Sequence, residues 1–383
     1  VSTALRGSFR YANPPVIHWG PGCLAERLDA ELRRLGAQRV FVVTTRSVAR
    51  HPDLLPALVE RLGARCAGQY SAIGQHAPAR SVAEAVEAAR SSSPDVLISF
   101  GGGSPIDATK AVAFALGTGL DLNDPSAASE AAGLDGRDLL PHLSVPTTLS
   151  VAELSGLAGF TTPDSQEKVG LRGEGMTPAV VFYDASLTLP TPVDLWLSTG
   201  IRAVDHAVET LLSDRTQPFS STLSLEALRR LRAGLLASRA DPADLVARTE
   251  CQLGAWLSFT LPGPAAGGLC HTLGKRIGAR HDIPHGVTSC LLLPHVMRYL
   301  WSRTVDAQAL IASALGVDTR EMPVEQAARR AADAVYDLIA ALGQPQHLSA
   351  YGLSEADLLA AAGPVASAEY PVDDLIGIYR AAW

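Results

Sequence analysis

Cysteine is scarce and scattered. The chain of 383 residues has five, Cys23, Cys66, Cys251, Cys270 and Cys290, with no CxxC pair among them. An odd, dispersed set reads as reduced thiols, most of them simply small buried residues, and points to a cytoplasmic protein. No apolar stretch reaches about 18 residues, which argues against a membrane span. The first residues, VSTALRGSFRYANPP, carry no apolar core of a signal peptide, so a cytoplasmic location is expected. There is no basic run, and the net charge is -7 from 32 basic and 39 acidic residues, so nucleic acid is not an expected partner. Internal repeats and low-complexity tracts are also absent. What remains, 47% hydrophobic and 19% charged, is the composition of an ordinary globular protein. Its length calls for two domains.

The first half alternates strand and helix patterns. VIHWG (16–20) reads as a strand, and CLAERLDAELRRLG as a helix that stops at Gly36. RVFVVTT (39–45) and DVLISF (95–100) are short Val-, Ile- and Leu-rich runs of the kind buried in parallel sheets. LLPALVERLG and SVAEAVEAARSSS are helical. LAGFTTPDSQEKVGL reads as a hairpin around Pro163-Asp164-Ser165, and AVVFYD (179–184) as the last strand. After Pro190 and Pro192 the apolar stripes recur with helical period almost to the end. The expected architecture is a Rossmann-like α/β domain, residues 1–187, followed by an all-helical domain, residues 188–383.

Two places carry chemistry. Gly101-Gly102-Gly103-Ser104 lies between a buried strand and a helix that begins near Pro105. Glycines let the backbone approach a phosphate, and a helix start offers unpaired N–H groups and a favourable dipole. A tight turn with no ligand is the plainer reading. The spacing is not G-x-G-x-x-G, so it does not name a nucleotide. The second place is a set of three histidines, His206, His271 and His285, spaced like a metal site. Two cations intrude: Arg202 four residues before His206, and Lys275 four after His271. Residues four apart share a helix face. A metal site calls for neutral imidazoles and carboxylates instead.

SFGGGSPIDATKAVA, VPTTLSVAELSGLAGFTT, STGIRAVDHAVE and HDIPHGVTSCLLLPHV, in that order, resemble the signatures of the iron-containing (group III) alcohol dehydrogenase family. The LCHTLG segment leans towards its maleylacetate reductase branch. The resemblance implies an N-terminal dinucleotide-binding domain and a C-terminal helical domain, as in dehydroquinate synthase-like folds, and a homodimer is common in such proteins. It implies that Gly101, Gly102, Gly103 and Ser104 bind the pyrophosphate of NAD(P), with Asp107 bracing the turn. Thr147, Thr148 and Leu149 would flank ribose and nicotinamide, and Lys168 would reach the cofactor ribose. Members specific for NAD usually carry a carboxylate where Thr45 stands. Thr45 followed by Arg46 removes its repulsion of a 2′-phosphate, so NADPH is expected to be accepted alongside NADH or preferred.

Typical members bind one divalent metal through an aspartate and three histidines. His206, His271 and His285 match the histidines, but Arg202 stands at the aspartate position. A divalent ion about 4 Å from a fixed cation meets roughly 8 kcal/mol of repulsion at an effective dielectric of about 20. Three imidazoles can hold zinc unaided, yet no resident iron or zinc is expected here. Asp205, adjacent to His206, is set aside as a substitute ligand because it is turned away from the intended face. Arg202, His206, His271, Lys275 and His285 are the candidate catalytic residues. They would offer positive charge and hydrogen-bond donors to an alkoxide or a carboxylate. The alternative keeps Arg202 in a salt bridge with Asp205 or Glu209. The function expected is NAD(P)H-dependent reduction of a small, anionic carbonyl substrate. A lyase, dehydratase or cyclase on the same fold, or an inactive binding protein, are the competing readings.

Overall fold

Short runs of β-branched and aromatic residues build the central sheet. In chain order the strands are β1 (Ile17–Trp19), β2 (Val40–Thr44), β3 (Cys66–Tyr70), β4 (Val96–Gly101), β5 (His142–Pro146), β6 (Leu157–Thr161), β7 (Lys168–Arg172) and β8 (Val180–Tyr183). Six of them form one parallel sheet in the order β1-β8-β5-β4-β2-β3, and β6 and β7 form a separate antiparallel ribbon. This computed structural model describes residues 11–122, 124, 138–161, 168–260 and 267–383. The chain divides into two units, one of Ala12–Thr191 and one of Pro192–Trp383 with Tyr11.

The sheet of the first unit is covered on both faces. Val40, Val42, Ile98 and Phe100 pack against α1 (Cys23–Arg34) and α3 (Leu55–Leu62). Phe41, Val43 and Leu97 pack on the opposite side against α4 (Ala79–Ser92) and α5 (Gly103–Thr118). The alternation follows from the two-residue period of a strand. A five-residue helix, α2 (Arg46–Arg50), follows β2 directly. The strand order reverses between β2 and β4, whose carboxyl ends carry Thr45-Arg46 and Gly101–Ser104. In open α/β sheets a ligand binds outside the carboxyl ends at such a reversal. β2 and β4 are held there by Thr44 Oγ1, which donates to the Phe100 carbonyl at 2.6 Å.

The second unit consists, among the described residues, of helices and short 3-10 turns. Its helices are α6 (Val193–Leu212), α7 (Pro218–Ala240), α8 (Leu245–Ser258), α9 (Leu269–His281), α10 (His285–Leu300), α11 (Val305–Ala314), α12 (Val324–Ala341), α13 (Glu355–Ala362) and α14 (Val372–Ala381). α6 is buried along nearly its whole length, polar residues included, so it is the core helix of this unit. α10 crosses it closely. A side chain at Gly286 would meet the Ser198 carbonyl at 2.6 Å, so only glycine lets the two backbones approach this far. That approach sets the register that brings Ser289 of α10 against Asp205 of α6. No described helix is long and apolar enough to cross a membrane.

Candidate functional site

The glycine turn in the first unit is built by backbone geometry. Gly101 has φ +138°, a conformation that side-chain-bearing residues rarely adopt. Gly102 is the N-cap of α5 and supplies no side-chain cap, so the first N–H groups of the helix face outward without one. The facing loop, residues 147–155, leans directly on the turn. A Cβ on Gly103 would stand 3.1 Å from Ser150 Oγ, and one on Gly102 would stand 3.1 Å from Thr148 Cγ2. Thr148 Oγ1 and Ser150 Oγ are buried beside these glycines and have no hydrogen-bonding partner among the described residues. Buried hydroxyls rarely lack one. An uncapped helix start offers N–H groups and a dipole that favour an anion.

The loop is held in an unfavourable conformation. Val151 has φ 57° and ψ 16°, the left-handed region, which is an outlier for a β-branched residue. The cost is about 1–2 kcal/mol. Lys110, fully buried on α5, ties the loop down: Nζ donates to the carbonyls of Ala152 at 2.5 Å and Leu157 at 2.7 Å. Tyr183 on β8 donates its hydroxyl to Glu153 Oε1 at 2.7 Å. Burial pushes the Glu153 carboxyl up to about 7, only partly opposed by the Tyr183 hydrogen bond and the Lys110 charge.

The other sequence-selected residues of this unit are placed as follows. Thr45 caps α2, accepting from Val48 N at 3.5 Å, with Arg46 exposed beside it. Asp107 Oδ1 lies 4.0 Å from Lys110 Nζ. Ser104 Oγ accepts from the His76 backbone N–H at 3.1 Å. Thr147, Thr148 and Leu149 are buried, and Thr147 N donates to the Gly101 carbonyl at 2.9 Å. Lys168 opens β7 opposite Thr161, and its side chain lies outside the described residues, as does the turn Pro163-Asp164-Ser165.

The helical unit brings together a cluster of buried charges. Asp205 on α6 is fully buried, and its Oδ2 accepts the Ser289 hydroxyl at 2.7 Å. The same oxygen lies 3.5 Å from Arg202 Nη1 and 3.3 Å from His271 Nδ1. Arg202 Nη1 also donates to Ser289 Oγ at 3.1 Å. Glu209, one turn further along α6, faces His271 Nδ1 through Oε2 at 2.6 Å. Its other oxygen, Oε1, accepts from the backbone N–H of Cys270 at 2.6 Å and of His271 at 3.3 Å, and so caps the start of α9. Burial would raise the Asp205 carboxyl, but His271, Arg202 and Ser289 hold it below the usual range. Burial and the neighbouring Asp205 charge push Glu209 up. Burial and Arg202 press the His271 imidazole down, yet the two carboxylates prevail and its pKa is raised. Asp205, Glu209 and Cys270 are the described residues whose potential ligand atoms come within 4.8 Å of one another, although burial first and these carboxylates next push the Cys270 thiol well above its ordinary value.

His206 and His271 meet, with ring centroids 4.5 Å apart, and Phe259 packs edge-on against His206 at 5.1 Å. His271 Nε2 is buried and has no hydrogen-bonding partner among the described residues. His285 opens α10 and is half-buried. Lys275, one turn after the buried His271, is exposed. The helical spacing places Arg202 beside His206. The structure instead pairs it with Asp205, because a carboxylate three residues on offers charge that a neutral imidazole lacks. Asp205, set aside on its own helix, stands at the centre once α9 and α10 pack on α6. Glu209 was legible only as a possible partner of Arg202. The usable signal was the Asp205/Glu209 spacing of four, two acids on one face of an otherwise apolar helix. Glu153, Tyr183 and Ser289 gave no sequence signal.

Residues 14–185 match the family model of the iron-containing alcohol dehydrogenases, and residues 196–375 match the C-terminal model of the Fe-containing alcohol dehydrogenase family. The chain belongs to this family and is an oxidoreductase. It is 33% identical over 328 residues to a maleylacetate reductase from Rhizobium sp. (strain MTP-10005), covering 86% of this chain and 82% of that one. The crystal structure of maleylacetate reductase from Agrobacterium tumefaciens matches with a TM-score of 0.80 at 30% identity over 99% of both chains. A 1,3-propanediol oxidoreductase structure matches with a TM-score of 0.89 over 98% of this chain, and at 24% identity it bears on the fold alone.

Proposed function

We propose that this protein reduces a small anionic carbonyl compound, a maleylacetate-like oxo acid, with NADPH or NADH and without a resident metal. The observation that carries the reading is the cradle at the reversal of the sheet: an uncapped helix start, a glycine turn, and the buried hydroxyls of Thr148 and Ser150, which have no partner among the described residues. These residues fit a dinucleotide pyrophosphate. Gly101, Gly102, Gly103 and Ser104 would hold it, with Asp107 bracing the turn and Thr147, Thr148, Leu149 and Lys168 beside ribose and nicotinamide. Thr45 and Arg46 would tolerate a 2′-phosphate, because no carboxylate at this strand end repels it. When bound, the nicotinamide supplies a hydride to the carbonyl carbon.

The chain's own residues do the rest in this reading. The carbonyl oxygen gains negative charge and must be stabilised and protonated. Arg202, braced through Nη1 by Asp205 and Ser289, provides a fixed positive charge for a carboxylate or an alkoxide. His206, His271 and His285 provide donors, and Lys275 an ammonium, for the proton that completes the alcohol. The donor set does not suit a divalent ion. One oxygen of Glu209 is committed to capping α9 and the other faces His271, while Oδ2 of Asp205 is shared by Arg202, His271 and Ser289, and Oδ1 of Asp205 has no hydrogen-bonding partner among the described residues. An ion there would meet the guanidinium at close range, a repulsion of several kcal/mol at an effective dielectric of about 20. Loss of NADPH or NADH absorbance with maleylacetate and other oxo acids, set against uncharged aldehydes, tests the reading. Preference for the oxo acids is expected, and turnover of neutral aldehydes alone would sink the anionic assignment.

A further inference from the structure

We infer that Glu153 and Tyr183, together with Lys110, are positioning residues that hold the loop 147–155 against the glycine turn and thereby set the affinity for the dinucleotide. The inference rests on the dinucleotide reading above. A left-handed valine does not persist unless its surroundings over-determine it, and such strain collects at ligand clamps. Here the residues just after Val151 are fixed from two sides. Lys110 Nζ holds the Ala152 and Leu157 carbonyls to α5, and Tyr183 Oη holds Glu153 to β8. Glu153 is 1% exposed, its Oε1 accepts from Tyr183, and its second oxygen has no hydrogen-bonding partner among the described residues. On the near side of Val151, Ser150 Oγ stands over Gly103 and Thr148 over Gly102. Releasing the far side lets Val151 relax to an ordinary conformation. The two hydroxyls then swing off the turn.

Tyr183→Phe removes one hydroxyl and keeps the ring packed in the sheet. Binding of NADPH and of NADH, followed by fluorescence titration of the intact protein, is expected to weaken about tenfold, or about 1.4 kcal/mol. The maximal turnover rate is expected to change less than twofold. Val151→Gly removes the strain, because glycine accepts the left-handed region without a Cβ clash. Adding it to Tyr183→Phe is therefore expected to restore the affinity. A purely structural hydroxyl would give no such rescue. Unchanged affinity in Tyr183→Phe, or a double variant as weak as the single one, overturns the positioning role while the dinucleotide reading stands. Failure of the unaltered protein to bind either dinucleotide overturns both.

Discussion

The glycine-turn region and the α6–α9–α10 cluster are polar sites built on opposite logic. In the first, the groups that the proposed reading aims at a ligand are neutral: backbone N–H groups and two hydroxyls without partners among the described residues, kept in place by a strained loop. In the second, charges face one another. Arg202 meets Asp205 at 3.5 Å, and His271 meets Asp205 at 3.3 Å and Glu209 at 2.6 Å, with the carboxylates and the imidazole buried and Arg202 at the partly exposed edge. The difference separates binding from holding. A cradle for a phosphate leaves acceptor-seeking groups unsatisfied until the ligand arrives. A charge cluster that balances itself fixes three helices, and leaves Arg202 as a braced cation.

The contrast breaks most visibly if one charge of the cluster is removed. Asp205→Asn leaves Arg202 and His271 without the carboxylate between them. We expect a loss of about 3–5 kcal/mol of unfolding free energy, as for other broken buried ion pairs. Urea denaturation measures it, and a loss below about 1 kcal/mol would mean that the cluster does not hold the helices.

A second, comparable but pH-dependent effect is expected at Glu153. Its carboxyl is pushed from 4.5 to about 7 by burial, so the folded state holds the proton more tightly than the unfolded chain. Against burial, its own backbone N–H, then Tyr183 and Lys110, lower it, and Asp107 raises it. Its contribution is therefore fully present at low pH and is lost as pH rises through about 7, to the extent of about 3 kcal/mol at 1.36 kcal/mol per unit. Glu153→Gln should gain stability relative to the unaltered protein between pH 5 and 8. Parallel stability curves of the two proteins would show that Glu153 is ionised and solvated.

The smallest effect sharpens the cradle. Thr45→Asp restores a carboxylate at the end of β2, and NADPH affinity should fall about tenfold relative to NADH, or about 1.4 kcal/mol. An unchanged ratio would place the 2′-position of the ribose elsewhere.

The two regions also differed in how far the sequence revealed them. The buried strands β2 and β4 announced themselves as runs of Val, Ile, Leu and Phe. β3 did not, because CAGQY is a half-buried edge strand with neither an apolar run nor alternation. The glycine turn was legible because a positive φ and close packing demand glycine in the sequence itself. The clamp of that turn was not. Glu153 and Tyr183 lie 30 residues apart, and nothing local announces their contact. In the helical unit the spacing of Arg202, His206, His271 and Lys275 described each helix alone. Of the partners that decide where Arg202 points, Asp205 lies three residues on along α6 itself, whereas Ser289 is brought in only by the crossing of α6 and α10 at Gly286.

The most direct test of the account is reduction of maleylacetate by NADPH after exhaustive chelation, with the metal content of the same sample determined. The account predicts turnover undiminished at far less than one metal ion per chain. Turnover that disappears with the chelator and returns on adding iron or zinc would contradict it.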